Sequence, residues 1–291
     1  MKRIYLYLFL SVFTFTLIAQ QSEKKLRFAF LTDIHLNKSN SGDRLNGLKQ
    51  ALDKSKELNV DFIVTGGDQL DVSGGSSKNY INMKEADSLY TVLKHTFDSH
   101  GLTYYPTIGN HDRYWDTEKG FVKGDELFKK YFNDSYYTFE KSDVRFFILN
   151  SVRNGGETGY EIDEEQMQWL QNNLKDVSKE TPIVVSTHVP FYSLYYPLVE
   201  DKYVFKDVIS NYKEVLSAFE PYNLQIVLQG HQHIHEEIKL KDVQFITGGA
   251  VCAGWWGGAF HGTEEGFLLV EMDMDNNFNW EYIDYGWTAR K

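Results

Sequence analysis

Five short clusters in this chain gather the residue types that bind cations or move protons. They are Asp33-Ile34-His35; Gly67-Asp68 with Asp71 three residues on; Gly109-Asn110-His111-Asp112; His188; and Gly230-His231-Gln232-His233. Together they offer carboxylate oxygens, an amide oxygen and imidazole nitrogens. That mixture suits Zn, Mn or Fe, whereas a calcium or magnesium cage is almost wholly oxygen. Asp33 and His35 are two apart, so at an extended strand end both point to one face, and His231 and His233 repeat that spacing. Glycines beside Asp68, Asn110 and His231 permit the tight turns that let ligands from separate loops converge. Each cluster alone is a weak signal, because a single strand-end histidine is more often a core or capping residue. Five of the nine histidines fall in these clusters, and their order along the chain carries the inference.

Apolar runs supply the strands that must position them. Leu26–Leu31 ends at Thr32-Asp33, Phe62–Thr65 ends at Gly66-Gly67-Asp68, and Leu102–Ile108 leads to Gly109. Ile183–Thr187 runs into His188, Ile226–Leu228 ends at Gln229-Gly230-His231, and Phe146–Leu149 is a further strand. Helical spacing appears between them: Leu45, Leu48, Leu52 and Leu58 within Arg44–Leu58; Ala86, Leu89, Leu93 and Phe97; and Val208, Tyr212, Val215 and Phe219. Asp163 reads as the N-cap of a helix over Glu164–Lys175. The tail differs, since Ile234–Leu240, Val243–Thr247, Phe267–Met272 and Asn279–Tyr285 read as four strands with no helix among them. This order predicts βα units with extra strands packed beside them, and a site at the strand ends of an α/β sheet. No repeat or linker divides the chain, so residues 26–291 read as one domain with a β-rich segment at about 234–285.

Composition narrows the function. The 291 residues carry a formal net charge of −11, which argues against a nucleic-acid partner bound by phosphate neutralisation. A small anionic substrate stays compatible, because bound cations invert the local field. Cys252 is the single cysteine, so an internal disulfide and a Cys-rich zinc module are excluded. Lys2 and Arg3 precede an apolar stretch over Ile4–Ile18 and the small residue Ala19. That pattern describes a signal peptide over residues 1–20, too short for a membrane span of about 20 apolar residues. Export to the periplasm or beyond the cell is therefore expected, with no membrane span left after removal.

The ordered set Asp-x-His, Gly-Asp-x-x-Asp, Gly-Asn-His-Asp, His and Gly-His-x-His resembles the calcineurin-like metallophosphoesterase superfamily. The resemblance runs from Asp33 to His233. It implies a four-layer αββα sandwich with a centre of two transition-metal ions (Zn, Mn or Fe) on loops at strand ends. Carried over, Asp33, His35 and His233 would hold one ion, Asn110, His188 and His231 the other, and Asp68 would bridge them. A hydroxide between the ions would be the nucleophile, His111 the general acid, and Asp112 the carboxylate that aligns the His111 imidazole. The chain departs from two branches. Purple acid phosphatases carry a tyrosine where Asp71 stands, so no tyrosinate-to-iron colour is expected; phosphoprotein phosphatases continue as Asp-Arg-Gly, whereas Val72-Ser73 follows here. The Gly-Asn-His-Asp form is similar to the cyclic-nucleotide phosphodiesterase and nuclease branches.

Residues outside the motifs bear on substrate. Gly254-Trp255-Trp256-Gly257-Gly258 puts two aromatic rings on a glycine-flanked loop, a platform for a base or sugar ring. His261 in the same loop, Tyr192 after His188, and Arg113 after the Gly-Asn-His-Asp cluster are candidate substrate contacts. The expected activity is hydrolysis of a small phosphomono- or phosphodiester: a nucleotide, a cyclic nucleotide or a similar organophosphate. The rivals are a metal-containing protein that binds glycans or other ligands without turnover, and a nuclease; no long basic cluster supports the latter.

Overall fold

The computed structural model describes residues 24–39, 41–73, 81–116, 118, 120–153, 159–202 and 207–289. The expected signal peptide lies outside them.

Alternation along the first strand, β1 (Lys24–Leu31), sets the layering. Phe28 and Phe30 point to one side, where they meet Phe62, Phe146, Ile148, Val184, Ile226 and Leu268. Ala29 and Leu31 point to the other, toward helical residues such as Leu48, Leu52, Leu93 and Phe97. A strand apolar on both faces is buried on both. The chain answers with two sheets face to face and helices outside each, the αββα sandwich that the motifs imply.

The first sheet has the order β11-β10-β1-β2-β3, with β2 (Phe62–Thr65), β3 (Tyr104–Pro106), β10 (Gly266–Asp273) and β11 (Phe278–Asp284). The second runs β4-β5-β6-β7-β9-β8, with β4 (Tyr137–Lys141), β5 (Val144–Ile148), β6 (Ile183–Ser186), β7 (Leu224–Gln229), β8 (His235–Leu240) and β9 (Val243–Gly248). β1, β2 and β3 pair in parallel, as do β5, β6, β7 and β9. Parallel pairing places their C-terminal ends at one edge of each sheet. The four tail strands form as expected but divide: β8 and β9 extend the second sheet, while β10 and β11 extend the first. Between the sheets Phe28 stacks on Phe62 at 5.2 Å, and the edge of Phe146 meets both rings. Each such buried ring contributes about 1.5–3 kcal/mol of burial free energy.

Helices α1 (Ser41–Glu57) and α2 (Met83–His100) cover the first sheet. α3 (Glu126–Phe132) packs against α2. α4 (Glu164–Leu174) and α6 (Tyr212–Phe219) cover the second sheet, and α5 (Tyr195–Val199) lies between β6 and α6 in sequence. Asn82 caps α2 reciprocally with Glu85, and Asp163 caps α4 through Gln166, as its position before the helix predicts. No helix among the described residues is long and apolar enough to cross a membrane.

Candidate metal centre

All five clusters lie just beyond strand ends: Asp33 and His35 after β1, Asp68 after β2, Asn110 and His111 after β3, His188 after β6, His231 and His233 after β7. Backbone bonds stitch the loops together, as Ile34 and His35 both donate N–H to the Asp68 carbonyl and Gly230 donates to that of His188. Two glycines are needed for close approach: a Cβ on Gly109 would collide with the Asp68 backbone, and one on Gly230 with Thr32 and the Asp33 carboxylate. Asp33, His35, Asp68, His231 and His233 all hold left-handed backbone, with φ between 50° and 73°. Such non-glycine strain costs of order 1 kcal/mol each and clusters where function requires it.

Three imidazoles are fixed in the same tautomer. His35 Nδ1–H donates to Asp71 Oδ1 at 2.6 Å, His188 Nδ1–H to the Gly66 carbonyl at 2.8 Å, and His233 Nδ1–H to the Ala253 carbonyl at 2.6 Å. Each therefore turns an Nε2 lone pair inward, the arrangement that metal-binding histidines adopt. His35 Nε2 and His233 Nε2 face one another at 3.1 Å, and His188 Nε2 faces the Asn110 amide oxygen at 3.0 Å. Opposed acceptors at that range repel unless a cation or an added proton lies between them. Asp33 Oδ1 is 3.4 Å from His233 Nε2, and Asp68 Oδ2 lies 3.7 Å from His35 Nε2 and 3.2 Å from His188 Nε2. His231 joins Asp68 and His188 within 4.8 Å. One group thus gathers Asp33, His35 and His233, a second gathers Asn110, His188 and His231, and Asp68 reaches both. The nitrogen and oxygen donors fit a pair of transition-metal ions.

Charge in the cluster is mutually compensated. Burial pushes the Asp68 carboxyl up, but His188, His111 and His35 outweigh it and hold it well below the usual carboxylate range. Burial disfavours the charged His188 imidazole, yet Asp68 and Asp33 bring it to about 9. His111, half-exposed at the rim, is likewise opposed by burial and held near 9 by Asp68 and Asp71. Bound cations would draw on the same carboxylates and bring that value down.

Four expected assignments need correction. The carboxylate beside the His111 ring is Asp71, 3.4 Å from Nδ1, not Asp112. Asp112 turns inward and accepts from Gln69 Nε2, Leu70 N and Gly109 N, tying the β2 loop to the β3 loop. Arg113 is buried, donates to the carbonyls of Val152, Lys123 and Arg153, and lies over the Trp115 ring, so no phosphate clamp is left in it. Tyr192 packs on Phe245 and Tyr212. Trp256 is an anchor, its Nε1–H donating to the Ile34 carbonyl at 2.8 Å and its ring edge-on to Trp287. Trp255 does stand at the centre, 4.3 Å from the His233 ring, and exposed His261 lies 4.4 Å from the Phe260 ring.

Other neighbours of the centre lie outside the expected ligand set. Asp71 also accepts from Asn37 and lies 3.6 Å from Arg44, making it a hub for both histidines. Its spacing from Asp68 is the signal that marks it in the sequence. Asp207 sits 3.6 Å from His231 Nε2, Thr32 donates to Asp33 Oδ2, and the buried Cys252 sulfur lies 3.8 Å from His233 Nδ1. None of these three belongs to a spacing pattern.

Two cation-sized ligand groups at the edge of an αββα sandwich describe a binuclear metallohydrolase site in form. Residues 26–235 match the profile of the calcineurin-like phosphoesterases, metal-dependent phosphoester hydrolases, and the chain belongs to that family. A 103-residue stretch, 35% of this chain, is 28% identical to probable purple acid phosphatase 20 of Arabidopsis thaliana. The match spans 22% of that relative's length. Among solved structures, a dimetal phosphatase from Danio rerio superimposes with a TM-score of 0.64 at 15% identity, covering 89% of this chain and 96% of that one. GAP50, the anchor in the inner membrane complex of Plasmodium, gives 0.57 at 20% identity, covering 90% and 85%. One neighbour is named a phosphatase and the other an anchor, so fold similarity alone does not fix what happens at the site.

Proposed function

We propose that this protein hydrolyses small phosphomono- or phosphodiesters at a two-metal centre held by Asp33, His35, Asp68, Asn110, His188, His231 and His233. The observation that carries the reading is the set of three imidazoles whose Nδ1 protons are spent on fixed acceptors, with the Nε2 atoms of His35 and His188 turned toward Asp68 and that of His233 toward Asp33. When bound, a metal pair supplies an acidified water and positive charge for phosphoryl oxygens. The protein's own residues supply the rest. A water oxygen bonds to phosphorus as the bond to the leaving oxygen breaks, and the proton that the water loses passes to solvent. His111 gives its Nε2 proton to the leaving oxygen, while Asp71 holds Nδ1. Half-exposed His111 is open to an incoming ester, whereas the ligand carboxylates beneath it are buried. The net charge of −11 favours small substrates over long nucleic acid. Export is part of the proposal and rests on the pattern of residues 1–20.

The test is a panel of mono-, di- and cyclic phosphoesters on protein reconstituted with Zn, Mn or Fe, with Asn110→Ala as the control. Turnover of small esters that falls with metal content in the variant supports the reading. Full metal loading without hydrolysis of any activated ester would overturn it in favour of a ligand-binding protein.

A further inference from the structure

We infer that the leaving group carries a flat nucleobase-type ring, received by an aromatic wall made of Trp255, Phe260 and Tyr195. This inference rests on the phosphoesterase reading above. The rings form an unbroken run outward from the centre: Trp255 lies 4.3 Å from His233, Phe260 is 5.5 Å from Trp255, and Tyr195 stacks on Phe260 at 6.2 Å. Trp255 is 49% exposed, an apolar indole left open beside metal-ligand candidates. Flat faces of this kind stack on bases with little regard to sequence.

Position identifies which part of the substrate meets the wall. His35 is flanked by Trp255, at 6.1 Å between ring centroids, and by His111, at 4.9 Å. The group that His111 protonates is the leaving oxygen, so whatever that oxygen carries extends beside His35 toward the indole. The wall is also held in place. Ala253, Trp255 and Trp256 all hold left-handed backbone, and the Trp256 bond to Ile34 ties this strained loop to the loop after β1. Phe260 is braced across its turn by paired backbone bonds with Thr263.

The experiment uses the metal-loaded full chain and matched esters: adenosine 5′-monophosphate, ribose 5-phosphate and glycerol phosphate, with cyclic adenosine monophosphate and glycerophosphocholine as the diester pair. Base-bearing esters should exceed base-free ones in kcat/KM by about tenfold, the scale of one base–aromatic stack. Trp255→Ala should shrink that ratio to about threefold or less, and Trp255→Phe should keep most of it. Metal content is measured in each variant, and saturation-transfer NMR with free adenosine should show a signal at the purine protons that Trp255→Ala abolishes. Equal kcat/KM for ribose 5-phosphate and adenosine 5′-monophosphate, or a ratio that survives Trp255→Ala, overturns the inference and leaves the phosphoesterase reading standing. If no ester is hydrolysed, that reading fails, and the NMR decides the wall alone. Saturation transfer to the purine that vanishes in Trp255→Ala then supports the wall; no transfer in the unsubstituted chain, or transfer that persists in the variant, refutes it.

Discussion

Asp71 and Asp112 sit three residues from Asp68 and one from His111, and the two carboxylates do different work. Asp71 takes the Nδ1 protons of His35 and His111 on a single oxygen, whereas Asp112 fastens two loops beneath them. Asp71→Asn is expected to lower kcat about 10–100-fold, the usual effect of losing a partner behind a metal ligand. It should also move the alkaline limb of the kcat profile to lower pH. The sign follows from His111, whose charged form Asp68 and Asp71 together favour; with the Asp71 charge removed the proton leaves earlier. Asp112→Asn should lower thermal stability and leave the limb where it is. His111→Ala should cut turnover of alkyl esters by about 10²-fold or more while metal content stays near normal; metal loss in that variant would refute its role as acid.

At the scale of elements, loops packed backbone to backbone hold the centre together. Gly109→Ala would force a methyl group into the Asp68 backbone, and overpacking of this kind costs about 1–3 kcal/mol. A fall in melting temperature together with reduced metal stoichiometry is the expected result, checked by calorimetry and elemental analysis. The strand ends and their ligands were legible in sequence because an apolar run followed by Asp, Asn or His is a one-dimensional pattern. The helix over Arg44–Leu58 and the Asp163 cap were legible for the same reason, and appear as α1 and the start of α4. Loop side-chain direction is not such a pattern. Arg113 and Trp256 look like substrate contacts by adjacency to the site, yet the Arg113 Nη groups and Trp256 Nε1 donate to carbonyl groups of neighbouring loops, and Arg113 is buried. Sharing of the tail strands between both sheets was equally illegible, since strand character does not reveal which edge a strand will join.

For the molecule as a whole, pH acts through groups outside the ligand set as well as through the ligands. Asp125 is buried beside α3; burial raises its carboxyl, but Ser135 and Lys129 outweigh that and hold it below the ordinary value. A depressed folded-state pKa contributes stability above the unfolded value near 3.9, and that stability disappears as pH falls through the folded value. Asp125→Asn should therefore destabilise by about 1–2 kcal/mol at pH 7, with the difference shrinking below about pH 4. Denaturant titrations across that range read it directly.

Both ligand groups draw on both sheets: Asp33, His35, Asp68 and Asn110 come from the first, and His188, His231 and His233 from the second. A cation seated there acts as a rivet through two plates that are otherwise joined by greasy packing and a few hydrogen bonds, such as those of Thr107 with Ser186 and of His188 with the Gly66 carbonyl. Loading should therefore slow amide-proton exchange in β2 and β6 together, even though the two strands share no ladder. Slowing confined to one plate would mean that the rivet does not pass through both.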